Sequence, residues 1–395
     1  MARILVLDGH SAAGLAFTRS AGRASHWVAV GSPSGSFAPA KLSRYCKLAF
    51  DYPPSTEDLD GFLRAISDFS RRESIDLIIP TTDWTLQPLS EHRASFAGTS
   101  KLALPPQAAV LAAADKYRTT ELARSQGLSV PRTRLIGSVH DLEALDGWGF
   151  PLVVKDRFSV RWREGNAVLG SVAYAFPRDE LRRLVERRLQ TTGDLLVQEF
   201  VAGTGVGVSL FITATEMFIP FQWERVREVD PRGSASSARQ SLPLDRNLLN
   251  LSYRLVHTIG FEGIAMVEYK RTASGTATLM EINGRPWGSI GLAVASGIDY
   301  PRYYIDWWLK GSLPPARIAY RKLMCRRAVG ELTHLMNLRK GKPEAWPAPY
   351  PGFWRTMAKI AIPWYPGMCY DDLSLTDPRP GLAQLRNWFQ VRRKP

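Results

Sequence analysis

Cysteine is scarce in this chain, and its scarcity limits the classes of protein to be considered. The three cysteines, Cys46, Cys325 and Cys369, are odd in number and far apart in the sequence. They predict neither a disulfide framework nor a zinc site, and they fit a reducing cytoplasm. No apolar run approaches the ~18 residues that a membrane span needs. Asp8 interrupts the apolar run at the N-terminus, which argues against a signal peptide.

The chain also lacks a fixed-period repeat, a low-complexity tract, a GxGxxG fingerprint and a P-loop. Its 395 residues, 45% of them hydrophobic, predict a soluble globular protein of two or three domains. Residues 3–8 read as a buried strand followed by a glycine turn and a helix, which is the unit of a doubly wound α/β layer. Asp83 follows another buried strand, at 75–80, and is a weak candidate for a site residue or for a helix N-cap.

Positive charge is in excess, and most of the excess lies near the C-terminus. The formal net charge is +14, and residues 312–395 hold 15 Lys and Arg against 5 Asp and Glu. Basic residues among interfacial aromatics suit an anionic membrane surface, but the aromatics could equally be buried against the rest of the protein. No nucleic-acid module accompanies the charge, so nucleic acid is not an expected partner. The tryptophans in question are Trp346, Trp354, Trp364 and Trp388.

A hairpin predicted near residue 275 brings two glutamates together. Two segments rich in apolar and β-branched residues flank a linker, TASGT, of turn composition. If the turn is centred between Ser274 and Gly275, Glu268 lies directly opposite Glu281, with Cβ atoms ~5 Å apart. The two strands are predicted at 264–270 and 277–283.

Facing carboxylates repel unless a positive charge lies between them, and a divalent cation would supply that charge. Glu281 and Asn283 share one face of the strand, and Arg285 continues the same row. Mg²⁺ prefers such oxygen ligands and usually binds together with substrate phosphates, so a nucleotide is expected beside it. The competing interpretation is a solvent-facing hairpin whose glutamates are offset by Lys270 and Arg285.

Other basic positions could meet an anion. A buried strand at 152–155 ends on Lys155, which therefore needs an anionic partner or water. Residues 157–169 are basic and contain glycine, which is typical of a phosphate-covering loop and equally of a surface hairpin. Residues 223–242 are basic and rich in turn residues, and they predict a loop with arginines available for anions. These arginines are Arg225, Arg227, Arg232 and Arg239.

The order of these segments resembles the ATP-grasp superfamily, in particular its carboxylate–amine ligases and carbamoyl-phosphate-synthase-like members. The resemblance covers about residues 1–310, and its specificity lies in the serial order and spacing of the segments. The ExNxR segment is the strongest of them. The matching segments are DKYRTTELARSQGLSVP at 115–131, FPLVVK at 150–155, LVQEFVAG at 196–203, VEYK at 267–270 and MEINGRPWGS at 280–289.

Carried over residue by residue, the resemblance implies four roles. Contact with ATP phosphates falls to Lys116 and Lys155. The adenine hinge would be Gln198, Glu199, Phe200 and Val201. One or two Mg²⁺ ions, with Mn²⁺ as a substitute, would be held by Glu268, Glu281 and Asn283, and Arg285 would stabilise the transferring phosphoryl group.

Two departures from the family pattern stand out. Many relatives carry an acidic residue after the hinge to hold the ribose, whereas residues 204–208, TGVGV, have none. The ribose contact is therefore left unassigned. Gly284 stands where relatives commonly have proline, which loosens the turn without removing a ligand.

The resemblance implies an α/β fold with α+β elements: a doubly wound layer (1–110), an ATP-grasp small lobe (111–192), a large lobe with the metal site (193–311) and a basic extension (312–395). The implied activity is ADP-forming ligation of a small carboxylate to an amine in the cytoplasm, with a peripheral membrane location and a homodimer left open. The rival hypotheses are a non-catalytic nucleotide-binding scaffold and a Rossmann-type oxidoreductase. An oxidoreductase would leave Glu268, Glu281 and Arg285 without a role.

Overall fold

The computed structural model describes residues 1–163 and 166–392. Within them the strands form sheets of five, four, seven and two strands, interleaved with helices along the chain. The α/β class that the sequence predicts is therefore confirmed.

The first sheet is parallel throughout and carries the N-terminus. Its strands are β1 Arg3–Val6, β2 Trp27–Pro33, β3 Cys46–Tyr52, β4 Leu77–Ile79 and β5 Lys101–Leu102, with helices α1 Ala12–Arg23, α2 Leu59–Arg72, α3 Asp83–Glu91 and α4 Gln107–Ala114 and 3₁₀ turns at Pro39–Leu42 and Arg93–Phe96. The spatial order β3-β2-β1-β4-β5 reverses direction at β1 and β4, so a crevice forms at the carboxyl ends of these two strands.

Residues 116–199 form an antiparallel sheet with a core of its own, and we call this unit the small lobe. Its sheet has the order β10-β7-β11-β6, and residues such as Val154, Leu181 and Val197 form a separate buried cluster. Its elements are α5 Lys116–Ser125, β6 Thr133–Ile136, a 3₁₀ turn Val139–Leu145, β7 Leu152–Asp156, the hairpin β8 Val160–Arg163 and β9 Asn166–Leu169, β10 Val172–Ala175, α6 Arg178–Thr192 and β11 Leu195–Glu199. The predicted segment 157–169 is thus a hairpin as far as it is described, and residues 164–165 lie outside the described residues.

A seven-stranded sheet of order β16-β15-β12-β13-β14-β17-β18 follows, and we call this sheet with its helices the large lobe. Its strands are β12 Thr204–Ile212, β13 Met217–Glu228, β14 Ser236–Leu242, β15 Gly263–Arg271, β16 Ala277–Asn283, β17 Met324–Arg326 and β18 Met368–Tyr370, and its helices are α7 Arg246–Thr258, α8 Ile290–Ser296 and α9 Tyr300–Lys310. Neighbouring strands run antiparallel except β17 and β18, which are parallel.

The loop predicted at 223–242 is wrong. The structure places most of this segment in the paired strands β13 and β14, with a short connection between them. Its arginines suggested an exposed loop and so masked the strand pattern. In the structure each of these arginines is neutralised by a carboxylate. The ion pairs are Arg225 with Glu228 and Glu268, Arg227 with Glu331, Arg232 with Asp230, and Arg239 with Asp371. These arginines are therefore not simply available for anions.

The C-terminal segment contacts both the large-lobe sheet and the N-terminal part of the protein. Strands β17 and β18 extend the large-lobe sheet, followed by helices α10 Ala328–Arg339, α11 Phe353–Ala361 and α12 Arg379–Val391. Arg19 of α1 donates to Asp377 Oδ2 at 2.9 Å and to the carbonyl oxygen of Asp371 at 2.7 Å. The end of the chain is thereby tied to the N-terminal sheet. No helix in the described part of the chain is both long and apolar enough to cross a membrane.

Candidate active site

A cavity of about 440 Å³ lies between the small-lobe sheet and the seven-stranded sheet. Residues from α5, β7, the end of β11 and the β15–β16 hairpin contribute to its wall. All ten residues to which the resemblance assigns a role line this cavity, whereas the weaker candidates Asp83, Arg227 and Arg232 do not. The ten are Lys116, Lys155, Gln198, Glu199, Phe200, Val201, Glu268, Glu281, Asn283 and Arg285.

The hairpin sets Glu268 directly opposite Glu281, as its sequence predicts. The predicted turn centre is wrong by half a residue, because Arg271 pairs with Ala277 and the turn is centred on Ser274. A bulge at Met280 corrects the difference by adding one unpaired residue to β16. Without this bulge Met280, and not Glu281, would face Glu268.

The bulged residue also contacts the small lobe. The Nζ of Lys155, at the end of β7, lies 3.5 Å from the carbonyl oxygen of Met280. The Nζ of Lys116 donates to Ser159 Oγ at 3.0 Å. Lys116 is the first residue of α5, which is capped by the side chain of Asp115. The two lysines thus reach the cavity from two elements of the same lobe.

Glu268 has a partner that the sequence did not reveal. The Nη2 of Arg225 on β13 donates to Glu268 Oε2 at 2.5 Å, passing over the intervening strand β12. A Cβ atom at Gly205 would lie 2.6 Å from Arg225 Cδ, and one at Gly207 would lie 2.3 Å from Trp223 Cε2. The glycines of TGVGV therefore make room for side chains that cross the strand.

The two facing carboxylates have different electrostatic surroundings. Burial acts to raise both pKa values, but the positive charges of Lys116 and Lys155 outweigh burial and lower the pKa of Glu281. At Glu268 burial outweighs the attraction of Arg225, and its pKa is raised. Burial also lowers the pKa of Lys155 to about 8, against the attraction of Glu281. A metal cation bound between the two carboxylates would favour the ionised form of Glu268.

The donor atoms of this hairpin fit a hard cation. Glu268 and Glu281 offer carboxylate oxygens, and the amide of Asn283 lies beside them, with Nδ2 3.4 Å from Glu281 Oε1. Across residues 1–163 and 166–392, no group of three or more His, Cys, Asp or Glu side chains could hold a metal. A bound Mg²⁺ would take few protein ligands here and complete its shell with phosphate oxygens and water, as is usual for this ion.

Arg285 is held by the N-terminal sheet. Its Nε donates to Asp83 Oδ2 at 2.8 Å. Thr82, not Asp83, is the N-cap residue of α3, so the N-cap interpretation of Asp83 is wrong. Buried Asp8 fixes this turn by accepting the backbone N–H groups of Thr81 and Thr82, each at 2.9 Å. Asp83 and Arg285 are 202 residues apart in the sequence. The only sign of their contact in the sequence was the position of Asp83 at the carboxyl end of a strand.

The hinge end of the cavity is aromatic. Phe200 lies 6.0 Å from Tyr174 and 5.0 Å from Trp346 between ring centroids, and Trp346 is 3% exposed. Gln198 is buried, and its Nε2 donates to Thr133 Oγ1 at 2.8 Å. Sequence reasoning grouped Trp346 with the tail and missed its place beside the hinge, because nothing local to Trp346 indicates that contact.

Comparisons with known proteins agree with this geometry. Residues 191–327 match a family model described as ATP-grasp in the biosynthetic pathway with Ter operon. The chain is 27% identical over 215 residues to a probable alpha-L-glutamate ligase of Klebsiella pneumoniae (strain 342), covering 52% of this chain and 67% of that protein. It is 26% identical, with the same coverage, to the ribosomal protein bS6–L-glutamate ligase of Salmonella newport (strain SL254).

Solved structures share the fold at lower identity. An L-amino acid ligase from Bacillus licheniformis has a TM-score of 0.60 at 16% identity, covering 80% of this chain and 78% of that chain. N5-carboxyaminoimidazole synthetase from Staphylococcus aureus has a TM-score of 0.63 at 15% identity, covering 86% and 84%. At these identities the likeness shows a common fold.

Proposed function

We propose that the chain is an ATP-dependent carboxylate–amine ligase of the ATP-grasp superfamily, and we assign a role to each part of its cavity. One observation carries the proposal: Glu268 and Glu281 face each other while cations approach from both lobes. Phosphoryl transfer depends mainly on positioning and charge neutralisation, which this arrangement can provide.

The proposed phosphate contacts are Lys116 and Lys155 from the small lobe. Glu268, Glu281 and Asn283 would hold one or two Mg²⁺ ions, or Mn²⁺ in their place. When bound, the metal would neutralise charge on the phosphate oxygens. Burial lowers the pKa of Lys155 to about 8, so the charge of this lysine depends on pH in the mildly alkaline range.

Two steps follow for the substrates. A carboxylate oxygen of the acid attacks the γ-phosphorus of ATP, the bond to the bridging oxygen breaks, and ADP leaves with an acyl phosphate formed. The amine nitrogen then attacks the acyl carbon, inorganic phosphate leaves, and the nitrogen loses a proton. Arg285 would stabilise the transferring phosphoryl group, and Asp83 would hold the guanidinium in place.

The adenine base would lie at the hinge side of the cavity, beside Phe200. Backbone groups of Glu199 and Val201 would bind it, with Gln198 and Phe200 completing the hinge. The aromatic rings of Tyr174 and Trp346 beside Phe200 support an apolar slot for a planar base.

ADP release tests the ligase mechanism directly. Purified protein with ATP and Mg²⁺ is screened against pools of acids and amines, and ADP is measured by a coupled assay. We expect release that needs both an acid and an amine and that stops on chelation of the metal. Nucleotide binding without release in any pool would instead support the non-catalytic scaffold. Hydride transfer from a nicotinamide would support the oxidoreductase.

We further propose that the protein is cytoplasmic and makes a peripheral contact with the anionic inner face of the membrane. The four tail tryptophans divide in the structure: Trp346 is buried and Trp388 donates to Thr333, whereas Trp354 is 73% and Trp364 63% exposed. Arg355 and Lys359 lie on the same short segment, and each basic residue near such a surface contributes about 1 kcal/mol. The exposed apolar residues are Trp354, Met357, Ile362 and Trp364.

Vesicle sedimentation tests this surface. We expect binding to anionic but not neutral vesicles, weakened by salt and lost in a Trp354→Ser/Trp364→Ser variant. Leu375→Ser, at an exposed apolar residue outside α11, is the matched control. No binding at low salt would overturn the membrane proposal. A concentration-dependent increase in mass that the double variant removes would favour a homodimer through this face.

A further inference from the structure

The wall of the cavity formed by β13, β14 and the end of β17, called the far end here, is lined by nitrogen donors. Trp223 and Arg225 project from β13 and Arg239 from β14, where Arg225 and Arg239 are paired across the two strands. Arg327 directly follows β17 and lines the same end. Because strands are ~4.8 Å apart, β14 lies about 14 Å from the strand that carries Glu268.

The positive charges at this end are only partly compensated. Arg225 is paired with Glu228 and Glu268, and Arg239 is paired with Asp371. Arg327 forms no ion pair within 4 Å and no side-chain hydrogen bond with any residue in the described part of the chain. Its charge does, however, partly offset the burial that raises the pKa of Asp372. Its guanidinium donors at the cavity wall are therefore left for a ligand.

Buried donors at the same end also lack partners. Trp223 is 2% and Arg239 is 1% exposed, yet Trp223 Nε1 and Arg239 Nε have no acceptor among the described residues. Buried N–H groups are rarely left unpaired in folded proteins, and each unpaired one calls for an explanation. Both side chains line the cavity, so a bound acceptor group would satisfy them.

The donors are held in place before any ligand arrives. Asp371, at the end of β18, binds the guanidinium of Arg239, and the indole of Trp223 occupies the space left open by Gly207. A ligand group would therefore meet donors that need little reordering, which favours binding.

We propose that this end of the cavity is a subsite for a second anionic group of the acid substrate, a carboxylate or a phosphate. The proposal rests on the ligase function proposed above. The carboxyl group that is phosphorylated must lie at the metal ligands, whereas Arg239 lies on β14 and Arg327 directly after β17, strands three and four places from β15 in the sheet. A second anionic group is therefore needed to reach them. The substrate class is thus an elongated acid that is anionic at both ends.

The test measures binding without turnover. Protein with Mg²⁺ and a non-hydrolysable ATP analogue is titrated calorimetrically with linear dicarboxylates of five to eight carbons, with their monoamides, and with ω-phosphono acids of equal length. We expect at least one dianion to bind about tenfold more tightly than its monoamide, as charged hydrogen bonds would give. Comparison of the carboxylate and phosphono series shows which anion the subsite takes.

Matched variants locate the effect. Arg327→Met should remove the preference for the dianion, while Arg317→Met, at an exposed arginine away from the cavity, should retain it. Trp223→Phe, which removes the indole N–H and keeps an aromatic ring, should reduce it severalfold. Nucleotide binding should be unchanged in the Arg327 and Arg317 variants.

Equal binding of dianions and monoamides would overturn the proposal, as would a preference that survives Arg327→Met. Failure of the ligase mechanism would give a different result, because ADP release would be absent while the binding preference remained.

Discussion

The two ends of the cavity are assembled in different ways. The hairpin end takes Glu268, Glu281 and Asn283 from two strands joined by a short turn. The far end takes Arg239 from β14 and its partner Asp371 from 132 residues later in the chain. A site made within one hairpin carries its pattern in a short stretch of sequence, whereas a site made from distant ion pairs has no local pattern.

The ends also differ in how their charges are balanced. At the hairpin end two carboxylates face each other, and lysines from another lobe approach them. At the far end guanidinium groups predominate, and Asp371 of the C-terminal segment holds one of them, that of Arg239. The first arrangement is suited to a metal and phosphates, and the second to an organic anion. Five substitutions test these assignments and that of the hinge, beginning with the largest expected effect.

Glu281→Gln should lower kcat for ADP formation on the order of a thousandfold, because it removes a charge and a metal-ligand oxygen from the hairpin end. The change is nearly isosteric, so the fold should stay intact, as circular dichroism can check. Glu268→Gln, whose carboxylate is already shared with Arg225, should have a smaller effect. Ordinary turnover of Glu281→Gln at millimolar Mg²⁺ would contradict the assigned role.

Lys155→Met should lower kcat/KM for ATP about tenfold to a hundredfold, the range of a lost charged hydrogen bond. Burial lowers the pKa of Lys155 to about 8, so the ammonium is charged below that pH and loses its charge as pH rises through it. The wild-type kcat/KM should therefore fall above about pH 8. This alkaline limb of the pH profile should be missing in the variant. A profile with the same alkaline limb in both proteins would reject the role.

Gly207→Ala tests the strand crossing that links the two ends. A Cβ there would lie 2.3 Å from the Trp223 ring, so the indole must move, at a cost of about 1–3 kcal/mol in the free energy of unfolding. Gly149→Ala is the control, since nothing lies within 4 Å of its Cβ. Chemical denaturation measures both, and equal stabilities would show that the glycine is not required for packing.

Trp346→Leu should have the smallest effect, a rise in KM for ATP of about twofold to tenfold with kcat unchanged, as expected for lost aromatic contacts. Trp364→Leu, at an exposed tryptophan of the same segment, should leave KM for ATP unaltered. Steady-state kinetics with ATP as the varied substrate distinguishes the two. A similar KM in all three proteins would remove Trp346 from the nucleotide site.

Local sequence predicted the fold class, the hairpin and the facing pair Glu268 and Glu281, because strand periodicity and turn composition act over a few residues. It also placed the small-lobe strand that ends near Lys155. The bulge at Met280 escaped prediction, although it leaves the facing pair as expected.

Long-range pairing accounts for what the sequence could not predict. Strands β13 and β14 read as a loop because their arginines meet carboxylates that are distant in sequence, such as Glu331 for Arg227. The contact of Asp83 with Arg285 and that of Trp346 with Phe200 are of the same kind. In each case the residue type is unremarkable by itself, and only the folded chain supplies the partner.

The tie between Arg19 and the segment around Asp377 has a mechanical consequence. Tyr304 of α9 donates to the carbonyl oxygen of Ala103, and Phe17 lies within the same buried cluster as Phe211 of β12. The N-terminal sheet and the large lobe therefore form a rigid base, clamped at both ends of the chain. The small lobe has a core of its own, so a movement of that lobe relative to this base would leave the core intact. If nucleotide entered and ADP left through such a movement, the donors around Arg239 would stay fixed in the base.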